Sequence, residues 1–302
     1  MHSLKEQLLF ELQRFGATHN SIETIFIGGG TPSTVDAKLY EPIFTLLTPY
    51  MKKNIEITSE ANPNSATEEW LSGMFALGVN RISFGVQSFD ASKLKLLNRA
   101  HTPQMAIDAI KIAKKIGYEN LSLDLIYATL GDTQELLSKD IQTAFSLPIN
   151  HISAYALTIE EGTAFESKPQ MSSEQLSLTT WIFDTIESHG FKQYEISNFG
   201  AYHSQHNLGY WLYKDYMGVG AGAVGKLNLQ RFYPNPDIEK YIQNPLKIRV
   251  ETLDAEDKKI EEIFLGFRSV IGVKKNILNK YEQERATLLV EEKKLSYKEY
   301  TF

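Results

Sequence analysis

Several glycines and polar residues fall where apolar, β-like runs end. Gly28-Gly29-Gly30-Thr31-Pro32-Ser33 follows the run Ile22–Ile27, Glu60 closes Asn54–Glu60, and Gln87 follows Arg81–Val86. Arg99 comes shortly afterwards in Leu97-Asn98-Arg99-Ala100-His101, Asp124 lies within Leu121–Tyr127, and Ala156 lies in His151–Leu157. Consecutive glycines remove the Cβ atoms that would keep a ligand away from the backbone. A carboxylate such as Glu60 neutralises an ammonium, and a guanidinium such as Arg99 takes a carboxylate by a bidentate pair. Asp124 can accept from ribose hydroxyls. The set suits a polar ligand that carries both an amine and a carboxylate. Each residue alone has a plainer reading: the glycines as a loop, Asp124 as a structural cap, Glu60 as a surface carboxylate. Their common position at strand ends is what favours a site.

Those residues need a frame to bring them together. The five runs named above alternate with helical patterns at Glu68–Leu77, Pro103–Ile116, Thr133–Phe145 and Ser173–His189. Strand–helix alternation is the pattern of βα units on a parallel sheet. In such folds ligands bind at the carboxyl ends of the strands, where loops vary without disturbing the core. An amphipathic helix over 3–15, with Ser3 as its cap, precedes the first strand. Beyond about residue 190 the rhythm breaks. Residues 191–245 read as irregular with short strands, 254–270 as a helix with a charged N-terminal half, and 274–302 as a charged, partly helical tail. The expected fold class is α/β: an incomplete (β/α)6 TIM-like barrel over 1–200, with a smaller C-terminal α/β domain over 201–302.

Composition narrows the function classes. The 302 residues include 31 basic and 37 acidic side chains, a net charge of −6, so no basic footprint points to nucleic acid. An apolar share of 42% and an aromatic share of 11% fit a folded protein. No apolar run approaches the ~20 residues of a membrane-spanning helix, and the start, Met1-His2-Ser3-Leu4-Lys5-Glu6, lacks a signal-like apolar core. A cytoplasmic protein is expected. There is no cysteine, which excludes disulfides, thiolate nucleophiles and cysteine-ligated metal centres in this chain.

The motifs resemble the radical S-adenosylmethionine (SAM) proteins related to oxygen-independent coproporphyrinogen dehydrogenase, over residues ~20–270. Gly28-Gly29-Gly30-Thr31-Pro32-Ser33 looks like that family's SAM-amine-binding motif. Arg81-Ile82-Ser83-Phe84-Gly85-Val86-Gln87-Ser88-Phe89 and Leu123-Asp124-Leu125-Ile126-Tyr127 match two further signatures. The resemblance implies a radical SAM barrel in which Gly29, Gly30, Thr31, Glu60, Gln87, Arg99, Asp124 and Ala156 contact SAM. Tyr194-Glu195-Ile196-Ser197-Asn198-Phe199 and His206-Asn207-Leu208-Gly209-Tyr210-Trp211 are similar to the HemW-type heme chaperone branch. This implies heme contact by His206, Asn207, Tyr210 and Trp211. An imidazole beside flat aromatic surfaces suits heme as one axial ligand; the plainer reading is a histidine packed in an aromatic cluster.

Two motifs act as decoys. Gly220-Ala221-Gly222-Ala223-Val224-Gly225 fits G-x-G-x-x-G, yet Lys226-Leu227-Asn228-Leu229 follows instead of a helix, so a dinucleotide fingerprint is not expected. It resembles the family's G-x-G-A-G-A segment. His203 and His206 make half a zinc site with no further ligand cluster.

The chain also departs from the family. Its [4Fe–4S] cluster needs a C-x3-C-x2-C loop, which in relatives lies upstream of the helix at 3–15 and is absent here; a late start site is the expected cause. The first strand is expected to be missing with it, leaving Ile22–Ile27 as an apolar sheet edge prone to aggregation. Where relatives carry Y-G-L-P-G-Q-T this chain has Tyr127-Ala128-Thr129-Leu130-Gly131-Asp132-Thr133, so the turn after Asp124 is expected to be reshaped. Val224 replaces a histidine usual in the chaperone branch, leaving His206 as the main ligand candidate. The resemblance implies a heme chaperone that uses SAM and, in the family, a [4Fe–4S] cluster, with heme as cargo. It implies heme-receiving proteins as partners, respiratory enzymes at the membrane among the candidates, and a homodimer as candidate assembly. The alternatives are coproporphyrinogen dehydrogenation and a cluster-less barrel serving as an interaction module.

Overall fold

The computed structural model describes residues 1–159, 161–162, 165–173, 176–297 and 301. The amphipathic opening segment forms α1 (His2–Arg14), which buries Gln7, Leu8, Glu11 and Leu12 along one side. Its N-cap is Met1 and makes no side-chain cap bond. Ser3 is therefore not the cap. It lies inside the first turn, buried, where its hydroxyl donates to the Ile242 carbonyl at 3.2 Å.

The chain divides into two compact units, Ile22–Ser204 and a second made of Met1–Ser21 together with Gln205–Phe302. The first helix thus packs with the C-terminal residues, whereas chain order groups it with the barrel.

The unit Ile22–Ser204 is built on a seven-stranded sheet. Its strands are β1 (Ile22–Ile27), β2 (Met51–Ala61), β3 (Arg81–Gln87), β4 (Asn120–Tyr127), β5 (His151–Ala156), β6 (Lys192–Gln193) and β7 (Asn198–Gly200), in the order β1-β2-β3-β4-β5-β7-β6. The first five pair in parallel, each with the next. The sheet then continues through β7, antiparallel to β5, and β6, antiparallel to β7. It does not close: among the described residues β1 pairs only with β2, and β6 only with β7. An open α/β barrel with β1 at its edge is the result.

Helices α2 (Glu41–Leu47), α3 (Glu68–Ala76), α4 (Ala91–Leu96), α5 (Pro103–Ile116), α6 (Gln134–Phe145) and α7 (Leu176–Ser188) connect the strands. Residues 174 and 175 of the helix expected over 173–189 lie outside the described residues. Start signals are local: the hydroxyls of Thr67, Thr102 and Thr133 cap α3, α5 and α6, accepting from the amides of Trp70, Met105 and Leu136. Pro103 opens α5 and Gly117, at φ +124°, closes it. Along α5, Ala106, Ala109, Ile110 and Ala113 face inward at helical spacing, where α5 meets β3 and β4. Full burial of a side chain such as Ile110 is worth about 1.5–3 kcal/mol.

Strand alternation separates the sheet's two faces. Ile82, Phe84 and Val86 of β3 and Leu121 and Leu123 of β4 are fully buried. The residues between them are Arg81 and Ser83, then Ser122 and Asp124; on β5 the same parity holds His151, Ser153 and Tyr155. One face is apolar and the other polar. At the amino ends of the strands the polar face carries a buried network. The His151 ring meets the Ser122 hydroxyl at 2.6 Å and the Tyr194 hydroxyl at 2.8 Å. Glu56 accepts from Tyr202 at 2.6 Å and from Ser204 at 3.2 Å.

The second unit contains α1, α8 (Gln205–Trp211), α9 (Ile238–Gln243), α10 (Ala255–Gly266) and α11 (Lys280–Glu291). Its antiparallel sheet has the order β10-β9-β8, from β8 (Gly225–Leu227), β9 (Gln230–Pro234) and β10 (Ile248–Thr252). Asp254 and Asp257 form a capping box on α10. Buried Gln7 of α1 binds this unit's glycine-rich loop on both sides, donating to Gly218 O at 3.1 Å and accepting from Gly220 N at 2.8 Å and the Tyr241 hydroxyl at 2.7 Å. The loop runs straight into the β8–β9 hairpin, so the G-x-G-x-x-G match lacks the helix a dinucleotide site requires. Of the expected tail over 274–302, residues 298–300 and 302 lie outside the described residues. Among the described residues no helix is long and apolar enough to cross a membrane.

Candidate functional site: the strand ends and helix α8

The carboxyl end of β1 turns through Gly28, Gly29 and Gly30, the last two at φ +76° and +58°. A Cβ on Gly28 would lie 2.5 Å from the Phe26 ring and 3.1 Å from Glu60 Oε2, whereas at Gly29 and Gly30 the space is open and the positive φ is what favours glycine. The Gly29 amide donates to the Glu60 carboxylate. Below the turn, Ser33 Oγ shares a hydrogen with Ser65 Oγ at 2.6 Å and accepts from Asn62 N at 2.9 Å, which ties the ends of β1 and β2 together.

Burial, and then the charge of Asp124, raise the Glu60 carboxyl above the usual carboxylate range, against the Gly29 hydrogen bond. Asp124 is raised by burial as well, opposed first by a hydrogen bond from Ser153, then by Arg81, Ser83 and Arg99. Ser83 donates to Asp124 Oδ1 at 3.3 Å. Arg99 emerges just after α4, half-buried, and its Nε has no hydrogen-bond partner among the described residues. Two carboxylates and a guanidinium therefore share one electrostatic neighbourhood around Gly29. It is ready for a ligand with a positive group near the carboxylates and a negative group near the guanidinium.

Gln87 stands at the end of β3 in a left-handed conformation, φ +68°, its amide next to Gly85. Thr31 lies beyond the glycine turn, and Ala156 ends β5. These three share the strand-end rim, while Gly29, Glu60, Arg99 and Asp124 are the residues whose interactions link directly. Sequence reading missed Tyr155, 44% exposed as a whole residue, whose phenol is pushed up to about 12 by partial burial first, then Asp124, with a hydrogen bond from Ser153 opposing. Its signal was present in the alternation of His151, Ser153 and Tyr155.

The turn after Asp124 is not relaxed by its alanine. Ala128 is buried and holds φ +59°, the left-handed backbone that glycine favours. The conformation costs an alanine about 1–2 kcal/mol and is held by neighbours. Ser173 N donates to Ala128 O at 2.8 Å, and Thr129 N to Asp132 Oδ2 at 2.9 Å.

In the other unit, α8 carries His206, Asn207, Tyr210 and Trp211, none of them fully buried. The His206 Nε2 and Tyr210 hydroxyl are 3.0 Å apart, with the rings perpendicular at 5.0 Å. Tyr210 in turn stands edge-on to Tyr216 at 4.7 Å. His203 belongs to the first unit, where it stacks on Tyr194 at 4.3 Å. Among the described residues no group of three metal-ligating side chains forms around either histidine.

The radical SAM superfamily model matches residues 2–144. The chain is 33% identical to the heme chaperone HemW of Lactococcus lactis subsp. lactis over 92% of its own length and 76% of that protein. This chain belongs to the HemW family of the radical SAM superfamily. It is also 32% identical to the Bacillus subtilis heme chaperone HemW, over 93% of its length and 78% of that protein. Among solved structures, Escherichia coli coproporphyrinogen III oxidase (HemN), a radical SAM enzyme, superposes with a TM-score of 0.75 at 17% identity. The match covers 96% of this chain and 72% of HemN. The α/β radical SAM fold with its mixed sheet is thereby shown.

Proposed function

We propose that this chain is a heme chaperone, taking heme at α8 and delivering it to heme-receiving proteins. The similarity to heme chaperones named HemW over more than nine-tenths of the chain carries this reading. The chemistry of α8 agrees with it. His206 Nε2 meets the Tyr210 phenol at 3.0 Å, so its imidazole stands beside an aromatic ring on the same helix, and Tyr210 and Trp211 supply flat surfaces of the kind that pack on heme. Titration of heme into wild-type and His206→Ala protein, followed by the Soret band, tests it: the variant is expected to lose the histidine-ligated spectrum and bind more weakly. Identical spectra and affinities would remove His206 from the site.

The strand ends of the first unit fit SAM. A glycine turn whose backbone carries no Cβ, two carboxylates, and a guanidinium whose buried Nε has no hydrogen-bond partner among the described residues match its ammonium, ribose and carboxylate. In this reading Glu60 takes the ammonium, Arg99 the carboxylate and Asp124 the ribose hydroxyls, while Gly29, Gly30, Thr31, Gln87 and Ala156 line the remainder. When bound, SAM supplies a sulfonium and an adenosyl group. An iron–sulfur cluster does not fit these residues, since none is a cysteine. The likeness to HemN at 17% identity carries the architecture alone and does not favour porphyrinogen oxidation.

A further inference from the structure

A polar belt crosses the inner face of the sheet at one level. Glu60 on β2 is in register with Ser83 on β3, and Ser83 donates to Asp124 on β4. Asp124 is in register with Ser153 on β5, and Ser153 with Asn198 on β7. Directly paired residues of neighbouring strands project to the same face, so Asn198 faces the same space as Asp124. The Ser153 hydroxyl is already engaged by Asp124 and Tyr155.

Asn198 ends the belt, and it differs from the other members. It is 4% exposed, and its Oδ1 has no hydrogen-bond partner among the described residues. A buried amide oxygen left without a donor is costly, and native structures normally partner such groups through protein, water or ligand. The charged groups nearest along the belt, Asp124 and Glu60, are acceptors when ionised and in that form cannot serve it.

We propose that Asn198 is a ligand-binding residue whose Oδ1 accepts a hydrogen bond from the nucleoside part of the ligand that Asp124 holds. This rests on the reading of the strand ends as a SAM site and extends that site by one strand, onto β7. The ligand class is a nucleoside with hydroxyl or amine donors. A carboxylate is unwelcome against so many acceptors and belongs at Arg99.

Asn198→Leu keeps the branching and heavy-atom count of the side chain and deletes the orphan oxygen. Without ligand, its thermal midpoint is expected to hold or rise, because an unsatisfied group has been removed; a clear fall would show the oxygen already satisfied inside the fold and overturn the proposal. Equilibrium dialysis against S-adenosylhomocysteine, adenosine and methionine supplies the second readout. Asn198→Leu and Asn198→Ala are both expected to weaken the first two by about tenfold or more and leave methionine unchanged. Equal adenosine binding by wild type and variants would overturn the contact and leave the SAM site standing. If the wild type binds neither S-adenosylhomocysteine nor adenosine, the SAM reading falls, and the contact with it.

Discussion

Lys93 Nζ and Asp132 Oδ1 lie 2.8 Å apart with side chains 3% and 2% exposed. Lys93 belongs to α4, which leads to Arg99, and Asp132 to the loop between β4 and α6 that holds Ala128. The pair thus joins two of the loops around the strand ends. At an effective dielectric constant of ~20, two unit charges at that distance attract by about 6 kcal/mol, much of it offset by their desolvation. Removing one partner is different, because the other charge stays buried. Lys93→Met is therefore expected to destabilise the first unit by about 3–5 kcal/mol, lowering its melting midpoint by about 6–20 °C at roughly 2–4 °C per kcal/mol. Adding Asp132→Asn removes the stranded charge and keeps an acceptor for Thr129 N, so the double variant is expected to be more stable than Lys93→Met alone. Lys139 and Glu135 make an ion pair of the same 2.8 Å length on the surface, and Lys139→Met is expected to leave the midpoint in place. Urea titrations of the four proteins give the comparison. A Lys93→Met cost no greater than that of Lys139→Met, or strictly additive losses in the double variant, would refute the reasoning that burial sets the energy of this pair.

Three more outcomes follow from the site and the network beneath it. Burial raises Asp124, so the fold should lose stability as pH rises from the unfolded value near ~4 through the folded one; Asp124→Asn should flatten that slope and abolish adenosine binding, and an unchanged urea midpoint profile would count against it. Burial, then Arg81 and His203, hold His151 well below its ordinary value, so its contribution is present above about pH 6.5 and lost as pH falls. A stability difference between wild type and His151→Gln that stays constant from pH 7.5 to 5.5, within roughly 0.3 kcal/mol, would contradict this. Gly28→Ala sets a Cβ against Phe26 and Glu60 Oε2 and is expected to cost about 1–3 kcal/mol together with methionine binding; undiminished dialysis of methionine would show that the edge can move.

Much of the first unit was legible because its signals are periodic. Apolar alternation located β1, β3, β4 and β5 to within a residue, and the geometry of parallel sheets then put Glu60 and Asp124 near each other. What was not legible depends on partners distant in the chain. Ser3 reads as a cap by type and position, but the Ile242 carbonyl claims its hydroxyl. The antiparallel turn of the sheet follows from β7 pairing with β5 and β6 with β7, and a strand as short as Lys192–Gln193 carries no periodic pattern of its own. Ser83, Ser153 and Asn198 are small polar residues that strands tolerate on either face, so only the register reveals them as one belt. Ala128 shows the converse: its type argues against a left-handed turn, and the surrounding hydrogen bonds impose one.

The clasp made by Gln7 sets a schedule for folding on the ribosome. Its partners at Gly218, Gly220 and Tyr241 are translated only after the whole of Ile22–Ser204 has been made. At ~5–20 residues per second the first helix waits roughly 10–40 s, its apolar side without its final neighbours, while an entire sheet assembles behind it. The second unit is topologically a split body with the first inserted into it. Chaperone engagement of the nascent chain should accordingly centre on Leu8 and Leu12 and end once β9 and α9 emerge.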